Sequence, residues 1–185
     1  MRKVISFNMT SANGFFEGPD QDISWHNVDK EFNEFATNQL RAVDTILFGR
    51  VTYQLMANYW PTQAAIEDDP IIAKKMNALS KIVFSKTLAQ AEWNNTRLLR
   101  GNIAKEISYL KSLPGKSLII FGSSDLTVTM AQMGLVDEFR LMVAPVMLGS
   151  GKPLLNGLEG RLKLKLLRAK TFRSGNVLLY YQPLY

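Results

Sequence analysis

Apolar residues follow two rhythms along this chain, and the rhythms alternate. Lys3–Met9, Asp44–Phe48, Lys81–Ser85, Thr96–Arg100, Ser117–Phe121 and Asp137–Val143 are short runs rich in Val, Ile, Leu and Phe, with the length and composition of strands. Between them, Val28–Val43 carries Val28, Phe32, Phe35, Ala36 and Leu40 at helical spacing. Thr52–Tyr59 reads as a helix ended by Pro61. Asp69-Pro70 opens another helix that runs to Ala78, with proline in the first turn, where its missing N–H costs nothing. Asn102 caps a helix to Leu113, closed by Pro114-Gly115, and Asp125–Met133 is a helix stopped by Gly134. Thr10–Trp25, rich in Gly, Pro and Asp, reads as a loop. Leu162–Phe172 and Val177–Gln182 flank Ser174-Gly175-Asn176 and predict a terminal hairpin.

Strands alternating with helices predict an α/β fold: a mostly parallel central sheet, helices on both faces, and an antiparallel hairpin at the C-terminal edge. No internal repeat or linker interrupts the pattern, so residues 1–185 are expected to form a single domain. Composition narrows the chemistry. There is no cysteine and one histidine, His26, which excludes thiolate nucleophiles and disulfides and leaves no metal site to expect. The net charge of +6 gathers in Arg161–Arg173, where Lys163 and Lys165 alternate with Leu162, Leu164 and Leu166. That alternation predicts a half-buried strand with a wet basic face. No aromatic interleaving accompanies it, so nucleic acid is not an expected partner. No apolar run is long enough for a membrane span, and MRKVISFNMT lacks a signal-type apolar region, so the cytoplasm is the expected location.

Parallel sheets bind ligands beyond the carboxyl ends of their strands, which points to three junctions. In Phe48-Gly49-Arg50-Val51-Thr52, the glycine permits close backbone approach, the following N–H groups suit phosphate, and Arg50 offers a planar cationic fork; a tight turn with a surface cation fits equally well. Ser85-Lys86-Thr87 offers hydroxyls and an ammonium that suit a phosphate monoester. In Phe121-Gly122-Ser123-Ser124-Asp125-Leu126, either serine can cap the helix, or the same N–H groups can hold a pyrophosphate. Asp125 favours the helix dipole but repels phosphate unless it points away. Three such loops along one sheet edge suit a dinucleotide.

Taken in order, these segments resemble the dihydrofolate reductase-like superfamily. Within it they are most similar to the C-terminal reductase domain of the bifunctional riboflavin-biosynthesis deaminase–reductase. The resemblance rests on Ser11-Ala12-Asn13-Gly14-Phe15, Gly49-Arg50-Val51-Thr52-Tyr53, Lys81–Lys86, Gly122-Ser123-Ser124-Asp125-Leu126, and Pro145–Leu154 with its Leu148-Gly149-Ser150-Gly151-Lys152-Pro153 core. It implies a three-layer sandwich, a homodimer, and NADPH-dependent reduction of a small heterocyclic substrate of pterin or pyrimidine type. It further implies that Gly49, Arg50 and Thr52 hold cofactor phosphates, that Ser85 and Lys86 sit at the 2′-phosphate, and that Gly122, Ser123, Ser124, Asp125 and Leu126 surround the pyrophosphate. Gly149 and Gly151 would border the substrate, or simply form a turn. The family's usual aspartate before the glycine is Asn13 here, and an amide cannot act as a general acid.

The proton that accompanies a hydride has no obvious source in the sequence. Asn13, His26 and Asp29 are the catalytic candidates, and Asn8, Asn13 and Trp25 are expected on the substrate side. His26 is either a surface residue or a donor suited to neutral pH. Trp25 and Trp60 are candidates for stacking on a flat substrate. Three functions remain open at this stage: an NADPH-dependent reductase, a catalytically silent nucleotide- or pterin-binding protein, and a basic interaction protein using the C-terminal strands.

Overall fold

The structure is a computed structural model that describes residues 1–185. Six strands run parallel: β1 (Val4–Ser11), β3 (Val43–Gly49), β4 (Ser80–Phe84), β5 (Thr96–Leu99), β6 (Ser117–Phe121) and β7 (Glu138–Ala144). Their spatial order is β5-β4-β3-β6-β1-β7. β10 (Val177–Leu184) joins β7 antiparallel, and β9 (Lys163–Thr171) joins β10 antiparallel to close the sheet at its other edge. The mostly parallel sheet and the C-terminal hairpin are those the alternation predicts.

Helices cover both faces, which is why β1 is buried at every position and reads as a near-continuous apolar run. On one face α1 (Lys30–Arg41), α2 (Arg50–Tyr59) and α4 (Pro70–Ala78) pack with Ile5, Phe7, Ile46, Phe48, Val83 and Ile119. On the other, α5 (Ile103–Ser112) and α6 (Ser124–Gln132) pack with Val4, Leu47, Ile82, Leu118 and Ile120. Three helices start where side-chain caps were expected or available: Asp29 accepts from the Phe32 N–H at 2.8 Å, Asp69 from Ile72 at 2.9 Å, and Asn102 from Lys105 at 3.0 Å. The Asp29 cap explains why α1 begins at Lys30 rather than Val28, and Val43 belongs to β3 instead of the helix.

Two features escaped the sequence pattern. A short helix, α3 (Gln63–Asp68), is capped by the Thr62 hydroxyl, which accepts from Ala65 N–H. The expected loop at 10–25 contains the end of β1, a strand β2 (Phe15–Glu17) and a helical turn at Pro19–Gln21. β2 pairs with β8 (Lys152–Pro153) in a separate two-stranded sheet. Strands of two or three residues carry no readable period.

β9 also departs from expectation. Leu164, Leu166 and Leu167 are all exposed, so the strand is not half-buried in the single chain. Its pairing with β10 shifts by one residue between Tyr180, opposite Arg168, and Tyr181, opposite Leu166, which leaves Leu167 as the extra residue of a bulge. The bulge restores phase: Lys163, Lys165, Arg168 and Lys170 all share the α1 face with Leu178 and Tyr180, while Leu164 and Leu166 lie on the opposite face with Tyr181. Tyr180 sits between the guanidinium groups of Arg140 and Arg168, each 5.4 Å from its ring centre.

One lysine is fully interior. Lys81, 1% exposed, donates to the carbonyls of Met76, Asn77 and Leu79 at 2.7–3.2 Å and lies 4.4 Å from the Trp93 ring centre. Its ammonium closes the negative end of α4. Burial lowers its pKa to about 8, which still leaves it protonated at neutral pH. Lys81→Met keeps the length of the stem but strands those carbonyls, and is expected to lower stability by about 2 kcal/mol. A urea-unfolding midpoint equal to that of the parent protein would show that the ammonium contributes nothing.

Candidate active site

Because β4, β3 and β6 are adjacent and parallel, the three junctions singled out in the sequence open on one sheet edge. Two of them are bonded to each other. The Gly49 N–H donates to Ser123 Oγ at 3.0 Å, and the Ser123 N–H donates to Thr52 Oγ1 at 3.1 Å. The side chain of Ser123 is therefore not a helix cap, although Ser123 occupies the N-cap position of α6. Its hydroxyl reaches across to the start of α2 instead, and Thr52 answers from the first turn of α2. The starts of α2 and α6 are held side by side.

This arrangement needs an unusual backbone. Gly122 and Ser123 both have positive φ, +57° and +56°, so the chain leaves β6 through two consecutive left-handed residues. A side chain at Gly122 would meet Thr52 Cγ2 at 3.4 Å and the Phe16 ring at 3.5 Å, so this is a closely covered turn. The N–H groups in the first turn of each helix have no partner inside that helix, and the positive ends of both dipoles converge on the same place. Asp125 does not oppose them. Its exposed carboxylate turns to Lys152 on β8, 2.8 Å away.

Cations flank the cradle on the β4 side. Arg50 and Lys86 are exposed; Arg50 bonds only to Gln54 Oε1 at 3.0 Å, one turn along its own helix. Ser85 Oγ accepts from the N–H groups of Thr87 and Leu88, so that hydroxyl builds the turn on which Lys86 stands. Beyond it, at the ends of β4 and β5, lies a cavity of about 350 Å³ lined by Phe84, Leu99, Asn102, Lys105 and Tyr109 among others. Sequence reading missed these residues. The available signal was Tyr109, an exposed aromatic one turn from Lys105 on α5.

The remaining candidates are mostly engaged. Asn8 is 1% exposed and donates to Ser6 Oγ at 2.9 Å; its side chain lies within the sheet–α6 layer, not in an open cleft. Ser6 Oγ in turn lies 3.0 Å from Thr127 Oγ1 of α6. Trp25 donates to the Asp22 carbonyl and stands edge-on to His26, and Trp60 donates to the Met56 sulfur, so neither indole N–H is free. Asp29 is committed to capping α1. Asn13 bonds to Ser11 and to the backbone of Leu148. Gly149 has open space around it, whereas a Cβ on Gly151 would overlap the Glu17 carbonyl, so Gly151 is required by the β2–β8 pairing.

His26 is partly buried, and its Nε2 has no partner. Desolvation pushes its pKa down to about 4, against a small opposing pull from Asp22. At neutral pH the ring is therefore neutral, and its remaining N–H is too weak an acid to donate, which disfavours the donor alternative for His26. A carboxylate that sequence reading passed over, Glu31 in the first turn of α1, is also held low. The Arg173 N–H at 3.0 Å is the main cause, with Lys170 at 3.2 Å adding to it.

Residues 2–178 match the family model of the RibD C-terminal domain. The chain belongs to that family. Family relatives include YyaP of Bacillus subtilis, 34% identical over 180 residues, which span 97% of this chain and 94% of that one. Among solved structures, a protein of Shewanella sp. PV-4 named for riboflavin biosynthesis superposes with a TM-score of 0.75 at 19% identity, covering 99% of each chain. Dihydrofolate reductase from Enterococcus faecalis, solved with NADP(H), gives 0.65 at 12% identity, covering 98% of this chain and 96% of that one. The fold is therefore dihydrofolate reductase-like.

His26 yields a prediction about stability. Its folded pKa of about 4 lies below the ordinary 6.5, so the unfolded chain takes up the proton first as pH falls. Stability should decline from pH 6.5 towards 4 on this account and decline no further from it below that. His26→Phe, which keeps a ring against Trp25, is expected to flatten this limb of the melting-temperature profile. An unchanged difference between parent and variant across the window would show that the imidazole titrates in the fold as it does in the unfolded chain.

Proposed function

We propose that this protein is a cytoplasmic, homodimeric, NADPH-dependent reductase that transfers a hydride to a small heterocyclic substrate of pterin or pyrimidine type. The observation that carries the reading is the pair of helix starts clasped together by Gly49, Ser123 and Thr52, with Arg50 and Lys86 exposed beside them. Paired N–H groups and converging dipoles suit a pyrophosphate. Arg50, exposed at the α2 start, and Lys86, at the neighbouring β4 junction, suit a further phosphate monoester, which distinguishes NADPH from NADH. The cavity past Lys86, with Tyr109 and Leu99 in its wall, has the size and apolar character for an adenine ring. The donor set thus fits the cofactor, which when bound would supply the hydride. Family membership and the NADP(H)-bound neighbour support the same reading, and the pyrimidine reductase-like neighbour from Corynebacterium diphtheriae, with a TM-score of 0.68, supports the substrate class.

A second reading has one observation behind it. Asn13 and Asp29 are both hydrogen-bonded into the structure, and His26 is unprotonated at neutral pH, so none of the three offers a ready proton. A binding protein without turnover would look like this. Tight NADPH binding with no oxidation of it across a panel of pterins, pyrimidines and simple carbonyl compounds would favour that alternative.

The homodimer rests on β9. Leu164, Leu166 and Leu167 are exposed on an edge strand, with the lysines and Arg168 sorted to the other face. An apolar edge of this kind is covered in a stable protein, and a second copy is the occupant always present. Leu166→Asp is expected to give a monomer by sedimentation while leaving the helix content unchanged. A parent protein that already sediments as a monomer removes the proposal.

For the cofactor, the deciding experiment is titration with NADPH and NADH followed by nicotinamide fluorescence. NADPH is expected to bind more tightly, and Arg50→Ala and Lys86→Ala are each expected to weaken it about tenfold with little effect on NADH. Equal affinities for the two cofactors, or a preference that survives both substitutions, would show that these cations do not read the 2′-phosphate.

A further inference from the structure

Asn13 does something in this structure that an ionised aspartate could not. Asn13 Oδ1 accepts from Leu148 N–H at 3.1 Å and from the Ser11 hydroxyl at 2.8 Å, while Asn13 Nδ2 donates to the Leu148 carbonyl at 2.8 Å. One side-chain amide thus pairs with both polar groups of one backbone residue, 135 positions away. A carboxylate keeps the accepting half and sets its second oxygen against a carbonyl oxygen.

The bonds around this pair build a connected corner. Ser11 Oγ accepts from Phe15 N–H at 2.9 Å, Ala12 N–H donates to the Val146 carbonyl at 2.7 Å, and Leu154 N–H donates to the Gly14 carbonyl at 3.2 Å. The β2–β8 sheet hangs from it. β2 brings Phe16 over the Gly122 turn, and β8 brings Lys152 to Asp125 in the first turn of α6. Asn13 itself touches nothing in the cradle; it acts through the loop at residues 145–151.

We propose that Asn13 is a positioning residue whose amide, donating and accepting at once on Leu148, sets the height of the β2–β8 flap over the α6 end of the cofactor cradle. A carboxylic acid placed there does this only while it holds its proton. As a statement about cofactor binding, the proposal rests on the reductase reading above. As a statement about the flap, it stands by itself.

The charged groups on the elements packed against this corner are Glu17 on β2, Lys152 on β8 and Asp125 on α6, and the last two are paired with each other. None is a hydrogen-bond partner of Asn13, whose bonds go to Ser11 and Leu148. In Asn13→Asp the new carboxyl therefore titrates mainly against the Leu148 carbonyl. Protonated, its O–H replaces the lost N–H donor; ionised, it repels the loop.

The test measures amide hydrogen exchange of the peptide containing Leu148 and Lys152, corrected for the intrinsic pH dependence of exchange, together with NADPH affinity. Parent, Asn13→Ala and Asn13→Asp proteins are compared between about pH 3.5 and about pH 8, each variant read against the parent at the same pH so that His26, common to all three, cancels. Asn13→Ala is expected to exchange roughly tenfold faster at every pH, and to bind NADPH several-fold more weakly. Asn13→Asp should match it at the alkaline end and return towards the parent rate at the acid end. A packing role alone would give no such recovery.

Protection of Asn13→Asp equal to the parent at alkaline pH, or no recovery on acidification, overturns the proposal. If the parent binds no NADPH but exchange follows the expected pattern, the reductase reading fails and the clamp stands. If NADPH binds and exchange in both variants equals the parent's, the clamp fails and the reading stands.

Discussion

The candidate site depends on a reciprocal pair of hydrogen bonds between two loops far apart in sequence. Ser123 accepts from Gly49 N–H and donates its own N–H to Thr52. Without that clasp, α2 and α6 would each present an ordinary helix start to solvent. With it, their first turns become one surface, and the backbone pays with two successive left-handed residues, only one of them glycine. The strand order makes the clasp possible. β6 threads between β3 and β1, so the end of β6 arrives beside the end of β3. The dipoles, the cations and the flap all take their positions from that adjacency.

Much of the fold was legible in the sequence because long parallel strands and capped helices carry strong local signals. Asp69 and Asn102 mark helix starts through a single hydrogen bond each, Asp29 caps a helix whose apolar stripe runs on past it, and the strand runs are apolar because both faces are covered. The pieces that were not legible are those set by tertiary pairing. β2 and β8 are too short to show a period and exist because each completes the other. The β9 bulge is invisible in Lys-Leu-Lys-Leu-Leu-Arg, where the doubled leucine looks like a lapse in alternation. Read against β10, it keeps the cations together on one face.

The site shows the same division. Gly49, Arg50, Lys86 and Gly122 could be picked out as candidates because each follows a buried strand at the carboxyl end of the sheet, where a turn and a ligand loop look alike. The roles of Ser123 and Thr52 could not, since a serine before a helix signals a cap and the bond it makes instead crosses to another junction. His26 was a candidate on residue type alone; its environment, unreadable from the chain, removes the proton that made it one. Asn13 looked like the loss of an acid, and in three dimensions it is the gain of a donor.

The strand order also bears on how the molecule comes to exist. β1 precedes every other strand of this sheet along the chain, yet its neighbours are β6 and β7, and its register is fixed by Leu118–Phe121 on one side and Glu138–Ala144 on the other. Arg2 and Val4 are tied to Lys116 and Asp137. During translation the most buried strand of the protein must therefore wait, unpaired and apolar, until residues past 117 have left the ribosome. Only β3, β4 and β5 can assemble with near neighbours before then. Such a chain is expected to fold slowly for its size, with β3, β4 and β5 first and β1 inserted late.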